Sequence, residues 1–172
     1  MPNNTVFISG ASSGIGYACA VAFAQQGAKL IIAARRQQRL EQLAASLRAD
    51  YGVKVLPVML DVSEHTACKN AISQLPADFS EIDILVNNAG LALTTDKIQD
   101  ANPDNWDIMI DTNIKGLLYL TRATLPGMLS RDCGHIINIG SIAGHEYYPG
   151  GNIYCATKHA VKAISKTLRL DL

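Results

Sequence analysis

The chain has 172 residues, a length that fits one domain with a sizeable core. Its 48% hydrophobic and 17% charged content excludes a disordered chain. Fifteen basic residues balance fifteen acidic ones, so no overall field is available to attract nucleic acid or an anionic membrane.

The opening Met1-Pro2-Asn3-Asn4 passes at once into a strand-like run, so no leader peptide is expected there. Residues 5–9 read as a short buried strand. The string Ser9-Gly10-Ala11-Ser12-Ser13-Gly14-Ile15-Gly16 follows, and then a helix over 17–26 that Gly27 ends. Strand, glycine turn and helix form the layout of a phosphate site. Glycine admits close backbone approach, and a helix N-terminus offers free N–H groups and a positive dipole end. The spacing is G-x-x-x-G-x-G rather than G-x-G-x-x-G, and a tight turn without a ligand is the plainer alternative. Residues 29–34 form a second strand, apolar on both faces as in a covered parallel sheet. Arg35 and Arg36 come next, where a dinucleotide fold meets the adenosine ribose. An acidic residue at that corner selects NAD, whereas arginine accommodates the 2′-phosphate of NADP. The other reading of this pair is a solvated helix start.

Leu40, Leu43, Ala44 and Leu47 recur at helical spacing and predict a helix over 37–51. A third strand over 53–60 closes on Asp61 and Val62. Asp61 could accept an adenine amino group while Val62 packs on the ring; alternatively Asp61 or Ser63 caps a helix over 64–75. A fourth strand over 82–87 ends in Asn87-Asn88-Ala89-Gly90, small and amide residues suited to a crevice at a carboxyl strand end. Residues 91–102 read as a loop, and Pro103 opens a helix. Asn113 is polar among apolar neighbours, read either as functional or as a satisfied core amide. A long helix over 114–131 follows, with Pro126 expected to bend it, and then a fifth strand over 134–139. Alternation of strands and helices with short loops predicts a single α/β domain over 1–172, a doubly wound parallel sheet. The four cysteines and four histidines are scattered without a C-x-x-C pair or metal-ligand spacing, so no metal is expected. Thiols of this kind suit a reducing cytoplasm. No apolar stretch approaches the roughly 20 residues needed to span a bilayer.

Ser141 follows the fifth strand. Tyr154 and Lys158 stand four apart, on one face of a helix that starts near Tyr154. A neighbouring cation favours the phenolate form of a tyrosine, and a facing serine hydroxyl could hold a substrate oxygen beside it. Together the three could move a proton to or from a carbinol or carbonyl oxygen; the alternative is an exposed helix start.

In this order, Gly10-x-x-x-Gly14-x-Gly16, Asp61-Val62, Asn87-Asn88-Ala89-Gly90, Asn113, Ser141, Tyr154 and Lys158 resemble the short-chain dehydrogenase/reductase family in its shorter form. The resemblance spans the whole chain and implies a Rossmann-type fold that takes NADP. It implies that Gly10, Ser12, Ser13, Gly14, Ile15, Gly16, Arg35, Arg36, Asp61, Val62, Asn88, Ala89 and Gly90 bind the cofactor, with Tyr154 and Lys158. Tyr154 would be the general acid/base, with Lys158 favouring its phenolate and binding the nicotinamide ribose. Ser141 would orient the substrate oxygen, and Asn113 would hold a water in a proton relay. Strings such as Ala89-Gly90-Leu91-Ala92-Leu93 and Leu125-Pro126-Gly127-Met128 are similar to the NADP-dependent 3-hydroxy acid dehydrogenases, which include serine and allo-threonine dehydrogenases. The implied substrate is therefore a small 3-hydroxy acid; a broad carbonyl reductase and a catalytically impaired NADP-binding fragment are the rivals. The resemblance also implies a homodimer or homotetramer built on the helices over 114–131 and 154–172. Members of the family usually continue with two more strands, a Pro-Gly segment against the carboxamide and a substrate loop. Without them the fifth strand would be an open sheet edge, and the adenosine end would be held better than the substrate.

Overall fold

The computed structural model describes residues 4–172; Met1, Pro2 and Asn3, where the reading of the chain's start falls, lie outside the described residues. Strand β1 (Thr5–Ser9) is buried at every position, because helices cover it on both sides. Successive side chains of a strand point to opposite faces. Val6 and Ile8 accordingly pack with Leu30 and Ile32 of β2 (Lys29–Ala34) under helices α1 (Gly14–Gln25) and α2 (Gln37–Tyr51), through Ala20, Ala24, Leu40, Leu43, Ala44 and Leu47. Phe7 and Ile31 point the other way, into a second core with Cys68, Leu85, Leu120 and Met128. Cys68 lies on α3 (His65–Ser73) and Leu85 on β4 (Ile84–Asn87).

Five parallel strands stand in the order β3-β2-β1-β4-β5, with β3 at Val55–Met59 and β5 at His135–Asn138. The chain winds from β1 outward to β3, then returns to the other side of β1 for β4 and β5. The order reverses between β1 and β4, and ligands of open α/β sheets bind at the carboxyl ends of strands at such a reversal. Among the described residues β5 pairs with β4 alone.

The expected bounds of β1, β2 and α2 match the structure, and β3, β4, β5 and α3 are each shorter than expected. One connection differs in kind. The helix α4 (Pro103–Ile110) does not stop before a fresh start at 114; it runs through a π-helical segment, Asp111–Gly116, into α5 (Leu117–Ser130), which holds Pro126. The last helix, α6 (Asn152–Asp171), starts two residues before Tyr154. Among the described residues no helix is long and apolar enough to cross a membrane, and no group of three or more His, Cys, Asp or Glu could hold a metal ion. All four cysteines are free. Burial first, then the charges of Asp61 and Glu64, push the Cys68 thiol up to about 11.

Gly116 is where the π-helical segment meets the β3–α3 turn. A Cβ there would lie 2.6 Å from Val62 Cγ2 and 3.1 Å from Val62 O. Alanine ordinarily outranks glycine in a helix by about 1 kcal/mol. Here the added methyl meets a branched side chain and backbone, and overpacking of that sort costs about 1–3 kcal/mol. The steric cost should win: Gly116→Ala is expected to lower the urea midpoint, with a net loss of about 1 kcal/mol or more. An unchanged or raised midpoint would show that the turn yields freely.

Candidate active site

Five side-chain hydrogen bonds hold the carboxyl ends of β1 and β4 together, the first donated by the Ser9 hydroxyl to Val86 O at 3.3 Å. The buried Ser9 hydroxyl accepts from the backbone N–H groups of Asn88 and Ala89, both at 3.0 Å. The Asn88 amide nitrogen donates back to Ser9 O at 2.9 Å and Gly10 O at 3.2 Å. Gly10 has φ +66°, and a Cβ on it would stand 2.8 Å from Asn88 Nδ2 and 2.9 Å from Ala89 Cα. Only glycine fits, for both reasons. Asn88 is thus a brace beneath the glycine turn. Sequence reasoning did not single out Ser9; the signal for it was a hydroxyl ending an otherwise apolar strand.

Above this junction lies a cleft of about 340 Å³. Its lining brings together Gly10, Ser12, Ser13, Arg35, Arg36, Asp61, Val62, Ala89 and Gly90, which the sequence singled out separately, with Thr112, which it did not. Ser13 is the N-cap of α1, yet its side chain makes no capping bond to the helix. It accepts instead from Arg36 Nη2 at 2.8 Å, and Ser12 Oγ accepts from Arg36 Nη2 at 2.8 Å and Nε at 3.2 Å. The first-turn N–H groups of α1, from Gly14 through Ile15 and Gly16, therefore lack a side-chain cap beside a fixed guanidinium. That pairing of free amides with a planar cation suits a phosphate. Arg35 Nη1 is 3.8 Å from Asp61 Oδ2, and both side chains are largely exposed. The capping alternative for Asp61 and Ser63 does not hold: α3 has Glu64 as its N-cap with no side-chain bond. Asp61 Oδ1 instead accepts from Ser63 N at 3.0 Å and Ser63 Oγ at 2.7 Å, a local turn that leaves the carboxylate on the cleft wall.

At its other end the cleft meets the second group of residues. A Cβ on Gly90 would lie 3.1 Å from Asn113 Oδ1 and 3.7 Å from Lys158 Nζ. Lys158 is 8% exposed, and its ammonium donates to Ile139 O at 2.9 Å. It sits 6.0 Å from the centroid of the Tyr154 ring. Burial lowers the Lys158 ammonium from its ordinary 10.5. Ser141, two residues past Ile139, opens the 3-10 turn Ile142–Gly144 and accepts from Ala143 N at 3.1 Å. Its O–H remains able to donate to a ligand. Asn113 is 2% exposed. Its Oδ1 accepts from Leu91 N at 2.9 Å, and its Nδ2 donates to Leu91 O at 2.9 Å and Thr157 Oγ1 at 3.1 Å. Both N–H donors are thereby committed, and on this side chain only the second lone pair of Oδ1 is left to meet a water. Thr157 is a third residue, after Ser9 and Thr112, that sequence reasoning missed, although its place one turn from Tyr154 put it on the inward face.

A model of the short chain dehydrogenase family matches residues 4–172. The chain is 47% identical over 172 residues to an NADP-dependent 3-hydroxy acid dehydrogenase of Schizosaccharomyces pombe, covering 99% of this chain and 66% of that protein. It is 49% identical over 167 residues to the protein of the same name from Shigella flexneri, covering 97% and 66%. Among solved structures it resembles the closed form of a serine dehydrogenase complexed with NADP+, with a TM-score of 0.92 and 48% identity over 98% of this chain and 66% of that one. The chain thus spans just under two thirds of the length of these relatives.

The buried ammonium has a measurable consequence. Between its lowered folded-state pKa and 10.5, the unfolded chain holds more protons at Lys158 than the folded one does. Stability therefore rises with pH across that window, and below it the charged amine is a cost to folding. Lys158→Met removes the titration. The stability of the wild type relative to Lys158→Met should climb as pH is raised from neutral to about 10 in urea denaturation series. A difference independent of pH would mean that the amine keeps its ordinary titration.

Proposed function

This chain belongs to the short-chain dehydrogenase family, and we propose from that premise that it is an NADP(H)-linked oxidoreductase of secondary alcohols and their carbonyls. Its substrate in this reading is a small 3-hydroxy acid of the serine or allo-threonine kind. The observation that carries the reading is the continuity of the site at Gly90, which lines the cleft of the arginine pair and also abuts Asn113 and Lys158. A ligand anchored by Arg36 can therefore reach Tyr154. The names of the relatives support the cofactor and the substrate class.

The residues fit NADP in kind: a glycine turn with no Cβ to block the backbone, uncapped helix N–H groups, and two arginines where NAD-selecting sites carry an acid. When bound, the cofactor supplies or accepts the hydride. The protein's part is the proton and the positions. The Tyr154 phenolate takes the carbinol proton in oxidation and becomes the hydroxyl, which in reduction gives that proton to the carbonyl oxygen. Lys158 sets a positive charge beside that phenol. The Ser141 O–H donates to the substrate oxygen and holds it against Tyr154. Asp61 and Val62 form the adenosine wall. We read the 172 residues as one NADP-binding unit that works in the cytoplasm, where its four free thiols stay reduced. No nucleic acid or membrane partner enters this reading.

Assembly follows from the same reading. We propose a homodimer or homotetramer through α5 and α6, whose outer faces leave Leu118, Leu129 and Leu170 exposed. Sedimentation at micromolar concentration should show a species of twice the chain mass or more, and a monodisperse monomer would refute it.

The activity is tested on the 172-residue chain and on the same chain carrying the final third of the Shigella flexneri relative. Oxidation of L-serine, L-allo-threonine and 3-hydroxypropionate with NADP is followed by the absorbance of NADPH. Tyr154→Phe should lower kcat by about 10²–10⁴-fold while NADPH still binds. Arg36→Ala should weaken NADP(H) by roughly ten- to a hundredfold, the worth of one charged hydrogen bond, with little change for NAD(H). Near-normal turnover in the tyrosine variant would assign the proton to another group. Equal losses for both cofactors would remove the 2′-phosphate role.

A further inference from the structure

Tyr154 and Lys158 both stand in the first turns of α6, so their placement depends on what fixes the start of that helix against the opposite wall of the site. We infer that Thr157 is a positioning residue for the reaction, a hydroxyl bridge that sets the Tyr154 turn of α6 against the Leu91 wall through Asn113. This rests on the dehydrogenase reading.

The geometry runs through three elements. The backbone of Leu91, just past Gly90, is gripped at both its N–H and its C=O by the Asn113 amide. The remaining N–H of that amide donates to Thr157 Oγ1 at 3.1 Å. The Thr157 hydroxyl spends its one proton on Tyr154 O at 2.8 Å. A hydroxyl with its donor committed presents its lone pairs in a fixed direction, so Asn113 binds α6 in one register only. A threonine that bonds back to the carbonyl of the preceding turn is ordinary in a helix. The second bond is not ordinary: it joins residues 44 apart, at a site where Thr157 is 1% exposed and Asn113 2%. Water cannot easily replace a lost partner there, and an unpaired buried N–H is costly. The bridge also lies between the two reactive side chains. Thr157 follows Tyr154 by three positions and directly precedes Lys158, whose ammonium is pinned to Ile139 O. Lys158 is thus tied to the residue just past β5 and Tyr154 to the Leu91 wall, and the spacing between phenol and ammonium depends on both ties.

Thr157→Val keeps the size and the β-branch and removes only the oxygen. The start of α6 should then relax away from Asn113. A misplacement of about 1 Å costs up to 10²-fold in rate, so kcat for oxidation should fall by roughly 10- to 100-fold. KM for NADP should stay close to wild type, because the arginine cleft is untouched. Thr157→Ser restores the oxygen and should recover most of the lost kcat, although it lacks the methyl. A role confined to stability would lower the melting temperature of both variants without splitting kcat from KM. The assays use the two chain lengths named above, with NADPH affinity by fluorescence titration and melting temperature recorded for each variant. Val turning over like wild type, or Ser as impaired as Val, would overturn the positioning role. Absence of turnover in both wild-type forms would overturn the dehydrogenase reading itself, a result read from the wild type alone, and the positioning role would fall with it.

Discussion

Everything at the site depends on how closely two strand ends approach. β1 and β4 are hydrogen-bonded neighbours, in register from Val6 opposite Ile84 to Ile8 opposite Val86. Just beyond that register each chain turns away, one into the glycine turn and the other toward Gly90. Parted strand ends would leave backbone groups with nothing to bond, which is costly in a covered sheet. The Ser9 hydroxyl and the Asn88 amide fill that gap with side-chain partners. The space for them exists because position 10 carries no Cβ. The glycine turn and the wall beside Lys158 are therefore two ends of one rigid piece. A substitution at Gly10 would push them apart before it touched any ligand.

The electrostatics differ between the two ends. At the arginine end the positive charge stays largely unneutralised. Arg36 is held by two hydroxyls rather than a carboxylate, and the Arg35–Asp61 pair is long and exposed. Exposed pairs contribute little to stability, so the arginines remain available to an anionic ligand. The surface pairs Lys54–Asp78 and Lys115–Asp111 are closer, at 2.6 and 2.7 Å, and their lysines are correspondingly satisfied. At the other end one ammonium is buried, with a single carbonyl acceptor. The fold holds that charge at a cost, and little water screens it there.

The sequence made the scaffold legible where one physical signal dominated. β2 is an unbroken apolar run, and α2 shows a clean helical recurrence of Leu40, Leu43, Ala44 and Leu47, so their bounds could be placed to the residue. β4 starts two residues later than expected: Ile82 is core, and Asp83 bonds to Thr5 through both its backbone N–H and its carboxylate, just ahead of the register that begins at Ile84. Most residues that line the cleft were legible as separate motifs. Ser9, Thr112 and Thr157 were not, because a lone hydroxyl has no assigned role until its partner is known. The partner of Ser9 is 79 residues away and that of Thr157 is 44 away. Asn113 was legible as important, but its partners were not.

The π-helical segment was illegible for a different reason: hydrophobic periodicity over six residues cannot separate a 3.6-residue turn from a wider one. It occupies Asp111–Gly116 between two ordinary helices. Such wide turns cost hydrogen-bond quality and recur at functional sites. Here the segment does two things that a regular helix of the same residues could not easily combine. It turns Asn113 inward to Leu91 and Thr157, and three residues later it lays Gly116 against Val62. Val62 lines the arginine cleft, and Thr112 from the same segment lines it too. The same six residues thus set one wall of the arginine cleft and the tether of α6. A shift of this segment would be felt at both, and that shared support, more than any single contact, keeps the two ends of the site in register.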